Sequence, residues 1–178
     1  MTIDGLDRRI VEVFTDEPRV GVLECSRRLG VARGTVQARL DRLVRNGVIE
    51  GWAPRLDPEA LGYPVTAFVT LEIRQHHPSR AAHDAVAEHL MAIPEVLEAH
   101  TTTGAGDVLA RIVARSNADL QRVIDRVLSS EGVVRASTVI ALDTQIRHRV
   151  LPLLREAAKT VTGARNPRRT SPAGAKSP

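Results

Sequence analysis

The sequence predicts an α+β protein in two units, with helices alone in the first and strands alternating with helices in the second. Three observations carry that prediction. Apolar residues recur at helical spacing from Leu6 to Leu43, then switch to strict alternation over residues 65–73. Between the two patterns lies a turn-rich connector, "DPEALGYP" at 57–64. Beyond it, two helical stripes are interleaved with four runs of β-forming residues.

In the first unit, Leu6, Ile10, Val13 and Phe14 fall on one face of a helix, and Asp4 stands ready as its N-cap. Pro18 ends it. Val22, Cys25, Ser26 and Leu29 repeat the spacing on a shorter second helix, and Gly30 supplies a left-handed C-terminal position. A third helix turns Val36, Leu40 and Leu43 inward and stops at Asn46–Gly47. Residues 48–56, "VIEGWAPRL", read as an extended segment interrupted by Gly51 and Pro54.

In the second unit, Val65, Ala67, Val69, Leu71 and Ile73 mark a half-buried strand, ended by "HHPS". Ala82, Ala85, Val86 and Leu90 make a helical stripe. Strands follow at 96–103 and 108–114, joined by the tight turn "GAGD". Leu120, Val123, Ile124, Val127 and Leu128 form the second stripe, opened by a capping box of Ser116 and Asp119. Residues 133–142 complete the set as a fourth strand. The order βαββαβ is that of the ferredoxin-like arrangement. After it, 149–159 reads as a short helix with Pro152 in its first turn. Residues 160–178, rich in Pro, Gly, Ser and Arg, are expected to be disordered.

Composition narrows the function classes. At 178 residues and 43% hydrophobic the chain builds real cores, but its aromatics are only Phe14, Trp52, Tyr63 and Phe68, so packing must be aliphatic. No run is long enough to cross a membrane, the N-terminus lacks a signal-peptide pattern, and the one cysteine, Cys25, fits a reducing compartment. A cytoplasmic location without membrane association is expected. Net charge is +4, distributed unevenly: residues 1–60 are balanced, 61–148 carry −2 and 149–178 carry +6. Within the balanced part, residues 27–45 hold six arginines against one Asp, a concentration that points to nucleic acid or, more blandly, to a solvated helix face.

Two short helices joined at a glycine, the second basic outside and aliphatic inside, describe a helix-turn-helix, whose second helix enters a major groove. The outward positions expected to meet double-stranded DNA are Arg33, Thr35, Gln37, Ala38, Arg39 and Arg42. Arginine forks reach guanine edges or phosphates, and glutamine reads adenine.

These residues also form an ordered string of motifs. "LDRRI" (6–10), "RRLGV" (27–31), "TVQARLDRLVRNGVIEG" (35–51), "LDPEALG" (56–62), "TGAGDVLARI" (103–112) and "EGVVRASTVIAL" (131–142) together resemble the Lrp/AsnC, or feast/famine, family of transcriptional regulators. The resemblance covers roughly residues 3–145 and leaves the C-terminal tail outside. It departs at Ala32, where the family usually has a capping Ser, at Cys25 and Ser26, where Leu and Ala are usual, and at Ala136, which replaces a common Thr. The resemblance implies a winged helix-turn-helix domain at 3–56, a linker at 57–63, a ferredoxin-like effector-binding and oligomerisation domain at 64–146, and a helix with a basic tail at 147–178. It further implies self-association as dimers and octamers, and an amino-acid effector between regulatory domains.

On that reading the effector residues are Thr103, Gly104, Gly106, Asp107, Ser137 and Thr138. Glycines let backbone N–H groups approach a carboxylate, and Asp107 accepts from an α-ammonium. The plain alternative is a hairpin connection. "GAGD" lacks the lysine or third glycine of a phosphate loop or dinucleotide fingerprint. His76–His77, His83 and His89 lack the partners of a metal set, and no nucleophile elbow occurs, so neither metal, cofactor nor catalysis is expected. Three readings remain open: an effector-responsive DNA-binding regulator, an effector-independent architectural protein of the same fold, and a small-molecule sensor or enzyme whose helices only mediate association.

Overall fold

The computed structural model of the chain describes residues 2–74 and 80–164. His76–His77 and the basic segment 165–178 lie outside the described residues. The chain divides into two compact units, Met1–Pro54 with Arg147–Pro178, and Arg55–Ile146.

The first unit holds α1 (Gly5–Asp16), α2 (Val22–Leu29) and α3 (Arg33–Arg45), and α6 (Leu151–Ala164) from the far end of the chain. Asp4 caps α1 in a full capping box with Asp7: its side chain accepts from the amides of Leu6 and Asp7, while Asp7 accepts from the Asp4 amide. Gly30 ends α2 at φ 65°, a left-handed conformation that costs a glycine little. Arg9 on α1 donates to the Leu29 carbonyl there, at 3.3 Å. The expected inward residues Ile10, Cys25, Val36 and Leu40 make one aliphatic cluster, edged by Leu6, Val13, Phe14, Val22 and Leu29. The stretch expected to be extended, 48–56, has no strand partner among the described residues. It runs past α1, where Trp52 meets Phe14 edge-on with ring centroids 5.3 Å apart.

The second unit contains β1 (Val65–Ile73), α4 (Arg80–Met91), β2 (Val96–Thr101), β3 (Val108–Ala114), α5 (Asn117–Leu128) and β4 (Val133–Ala141). The sheet order is β2-β3-β1-β4, and every neighbouring pair is antiparallel. Ala67, Val69, Leu71 and Ile73 on β1 and Val108, Ala110, Ile112 and Ala114 on β3 face a single core with Val86 and Leu90 of α4 and Leu120, Val123 and Val127 of α5. The other sheet face carries Phe68 beside Arg111 on one side and Val139 on the other.

Five features differ from expectation. Ala85 is exposed, and Leu128 is largely so, because each sits at the edge of its apolar stripe. β2 ends at Thr101 rather than residue 103, where the chain bends into the glycine turn. Residues 160–164, expected to be irregular, continue α6, since extending a started helix adds one backbone bond per residue. Finally, α6 does not stand apart as a tail. It packs on α1, where Arg155 Nε donates to Glu12 Oε1 at 2.8 Å and Ala158 is buried.

Candidate nucleic-acid interface and effector turn

Helix α3 owes its placement to its apolar stripe. Val36, Leu40 and Leu43 are buried, which leaves Arg33, Thr35, Gln37 and Ala38 exposed, as the spacing predicts. Ala32 occupies the N-cap at φ −63°, ψ 143° and offers no side chain to the free amides of the first turn. The Gln37 amide donates to Asp41 Oδ1 one turn on, at 2.8 Å.

Arg39 and Arg42 require a correction. The spacing turns both outward, but their guanidinium groups fold back onto α1. Arg39 Nη1 donates to Asp4 Oδ2 and, at 3.0 Å, to Asp7 Oδ1; Arg42 Nη2 donates to Asp7 Oδ2 at 2.5 Å. The reason is tertiary: both residues flank the buried stripe, and α1 brings two carboxylates to that flank. The bonds from Asp4 first and Asp7 second raise the Arg39 pKa above its ordinary value. Arg27 and Arg28 are likewise answered, by Glu24 and by Glu17 with Glu24. Of the six arginines in 27–45, Arg33 and Arg45 alone lack an acid within ion-pair distance among the described residues. Arg45, exposed in the last turn of α3, is a phosphate-contact candidate that sequence reasoning missed, although its position one turn beyond Arg42 was visible.

The glycine turn lies between β2 and β3. Thr103, Gly104 and Ala105 form its exposed tip, and Gly104 adopts φ 113°. The Thr102 amide donates to the Asp107 carbonyl at 2.9 Å, closing the hairpin. Gly106 is fixed by its neighbour: an added Cβ would stand 2.2 Å from Thr70 Cγ2 and 3.3 Å from the Leu71 carbonyl oxygen. Asp107 bonds twice to β1, its amide donating to Leu71 O at 2.8 Å and its Oδ2 accepting from the Ile73 amide at 2.7 Å. That amide falls where the β1–β4 register shifts, between Glu72 and Ile73, so the carboxylate serves a backbone donor at the irregularity.

Ser137 and Thr138 do not share a face. Ser137 pairs with Thr70 on the open side of the sheet, near Gly106, whereas Thr138 pairs with Val69 and shares the helix-covered side with Ala136. Of the two, only Ser137 shares the sheet face of Thr70, the residue against which Gly106 packs.

The two segments match known proteins separately and together. Residues 3–50 match a winged helix-turn-helix DNA-binding family, and residues 66–151 match the Lrp/AsnC ligand binding domain. The HTH-type transcriptional regulator FL11 of Pyrococcus furiosus is 32% identical over 151 residues, covering 85% of this chain and 97% of its own length. The Escherichia coli AsnC structure superposes with a TM-score of 0.76 at 27% identity, covering 85% of this chain and all of that one. A feast or famine regulatory protein from M. tuberculosis, solved with L-methionine, superposes with a TM-score of 0.72 at 27% identity, covering 84% and 98% of the two chains.

Proposed function

The chain belongs to the Lrp/AsnC family of transcriptional regulators, and from that premise we propose that it reads duplex DNA with the N-terminal half of α3 and responds to an amino acid at its regulatory domain. The observation that carries the DNA half is the exposed row Arg33, Thr35, Gln37 and Ala38, opposite the buried stripe of α3. The N-terminal residues of a recognition helix are those that meet base edges. Arg45 serves a phosphate.

The effector half rests on likeness to the M. tuberculosis protein, which was solved with L-methionine. In this chain the ligand meets Thr103, Gly104, Gly106 and Asp107, with Ser137 on the adjoining face. One helical unit spans few base pairs, so two copies engage two half-sites. The open sheet face supplies the contact between copies, with Phe68 and Val139 exposed side by side at 40% and 66%. Dimers assemble further into octamers. An amino acid at the turn then acts by favouring one assembly over another, which requires different affinity for the two.

Two observations favour a second reading, an architectural protein without effector. Asp107 already serves the Ile73 amide, and Gly106 already makes room for Thr70, so the turn has an account without any ligand.

Selection of bound fragments from sheared genomic DNA, with and without pooled amino acids, tests both readings. Enrichment of one sequence pattern that shifts with amino acids supports the first, and enrichment indifferent to them supports the second. Absence of any enriched pattern refutes both. Calorimetry with L-methionine on wild type and Asp107→Asn then locates the ligand. The variant retains an acceptor for Ile73 and removes the charge, so an unchanged affinity removes Asp107 from the site. Light scattering that finds a monomer refutes the assembly.

A further inference from the structure

The link between α1 and α3 is more than a neutral patch. Asp7 is fully buried at 0% exposure, and its two oxygens receive Arg39, Arg42 and the Asp4 amide. Asp4 receives Arg39 and the first amides of α1. Two carboxylates at the start of α1 thus grip arginines on successive turns of α3. A buried carboxylate is tolerated only with such complete partnering.

An apolar stripe selects the face of a helix that turns inward but fixes its rotation only coarsely. Aliphatic contacts are non-directional, so Val36, Leu40 and Leu43 set how deep α3 sits while resisting roll weakly. A guanidinium nitrogen on its rigid planar group donates along a fixed direction, and here Arg39 gives Nη1 to both acids while Arg42 gives Nη2 to Asp7. Roll decides which of Arg33, Thr35 and Gln37 faces a groove.

Building on the DNA-binding reading above, we propose that Asp7 with Asp4 is a positioning device for DNA recognition. It locks the roll of α3 through Arg39 and Arg42, which are positioning residues and make no contact with DNA phosphate.

The test uses the full chain, a DNA fragment from the selection above, and a scrambled fragment. Affinities of wild type, Arg42→Lys, Arg42→Gln, Asp7→Asn, the Asp7→Asn and Arg42→Gln double variant, and Arg33→Gln are measured across a salt series, with a melting curve on each to confirm folding. A side chain on phosphate contributes about one to the slope of log affinity against log salt. Lysine, a point charge on a flexible stem, replaces arginine there but lacks the reach and the fixed planar direction with which Arg42 Nη2 meets Asp7.

Positioning therefore predicts that Arg42→Lys loses at least fivefold in specific affinity with its slope unchanged. Arg42→Gln also leaves the slope unchanged, whereas Arg33→Gln lowers it or relaxes base preference. Asp7→Asn, remote from DNA, reduces the ratio of specific to scrambled binding, and combining it with Arg42→Gln adds no further loss. The proposal is overturned if Arg42→Lys binds as wild type, or if Arg42→Gln lowers the slope by about one. Should Asp7→Asn fail to fold, the two Arg42 variants decide alone. Wild type that does not distinguish selected from scrambled DNA refutes the DNA-binding reading itself, an outcome separate from all of these.

Discussion

Replacing Gly106 with alanine tests the steric account of the glycine turn between β2 and β3. The new Cβ would stand 2.2 Å from Thr70 Cγ2, against an ordinary carbon–carbon separation of about 3.5–4.0 Å. More than an ångström must be recovered. Thr70 is β-branched and stiff at χ1, and it lies in the sheet between Leu109 and Ser137. The Leu71 carbonyl at 3.3 Å, being backbone, yields little. Overpacking of this kind costs about 1–3 kcal/mol. In a unit of this size each kcal/mol lowers the melting temperature by about 4–8 °C.

Thr70→Ala removes the offending methyl, so Gly106→Ala in that background should cost less than about 1 kcal/mol. The expected coupling is about 1–2 kcal/mol, well above the additivity error of roughly 0.3–0.5 kcal/mol. Urea unfolding of wild type, both single variants and the double variant, followed by circular dichroism at one protein concentration, supplies the four free energies. If Gly106→Ala costs the same in both backgrounds, Thr70 is not what reserves this position for glycine.

Four further outcomes follow from the same geometry. Ala32→Ser should stabilise the helical unit by about 1 kcal/mol, because the N-cap backbone is already extended and lacks only an acceptor; urea unfolding measures it. Burial opposes the Asp4 charge, but the Arg39 hydrogen bond and the amides of Asp7 and Leu6 hold its pKa at about 2, below the ordinary 3.8. With the folded value depressed, stability from this group is complete above 3.8 and is lost as pH falls toward about 2, so Asp4→Asn should flatten that part of the acid melting profile. Arg33→Ala should weaken selected-site binding several-fold in a titration, since one bidentate guanine contact discriminates by about 1–3 kcal/mol. Deleting 165–178, which carries Arg165, Arg168, Arg169 and Lys176 and no acid, should lower the salt slope by about 0.9 for each phosphate the segment neutralises while leaving base preference intact. An unchanged slope reduces that segment to a solubilising extension.

The elements were legible where one residue's neighbours along the chain decide its fate. The alternation of 65–73 marks β1 at the observed ends, and the Asp4 cap and Gly30 stop follow from side-chain chemistry a few residues away. Arg39 and Arg42 are not legible in this way, because a helical wheel places them at the border of the buried stripe. Whether such a side chain meets water or an acid depends on what another helix presents. Gly106 was visible as a glycine, but its reason, Thr70, emerges only from the pairing of β1 with β3. Ser137 and Thr138 are different again. Their separation onto opposite faces was already implied by adjacency in a strand.

The scarcity of aromatic residues has an optical consequence. The chain has one tryptophan and one tyrosine, and they fall in different units. Trp52 rests edge-on against Phe14 in the helical unit, while Tyr63 lies beneath the Arg115 guanidinium, 5.2 Å from its ring centre, and accepts a hydrogen bond from it at 3.1 Å. Each unit therefore carries its own native chromophore. Red-edge excitation selects Trp52 and the unit that bears α3, and the tyrosine contribution to the excitation difference follows the sheet. Melting recorded in both channels distinguishes concerted from sequential unfolding without a label, and an amino acid that stiffens only the regulatory unit should delay the tyrosine signal alone.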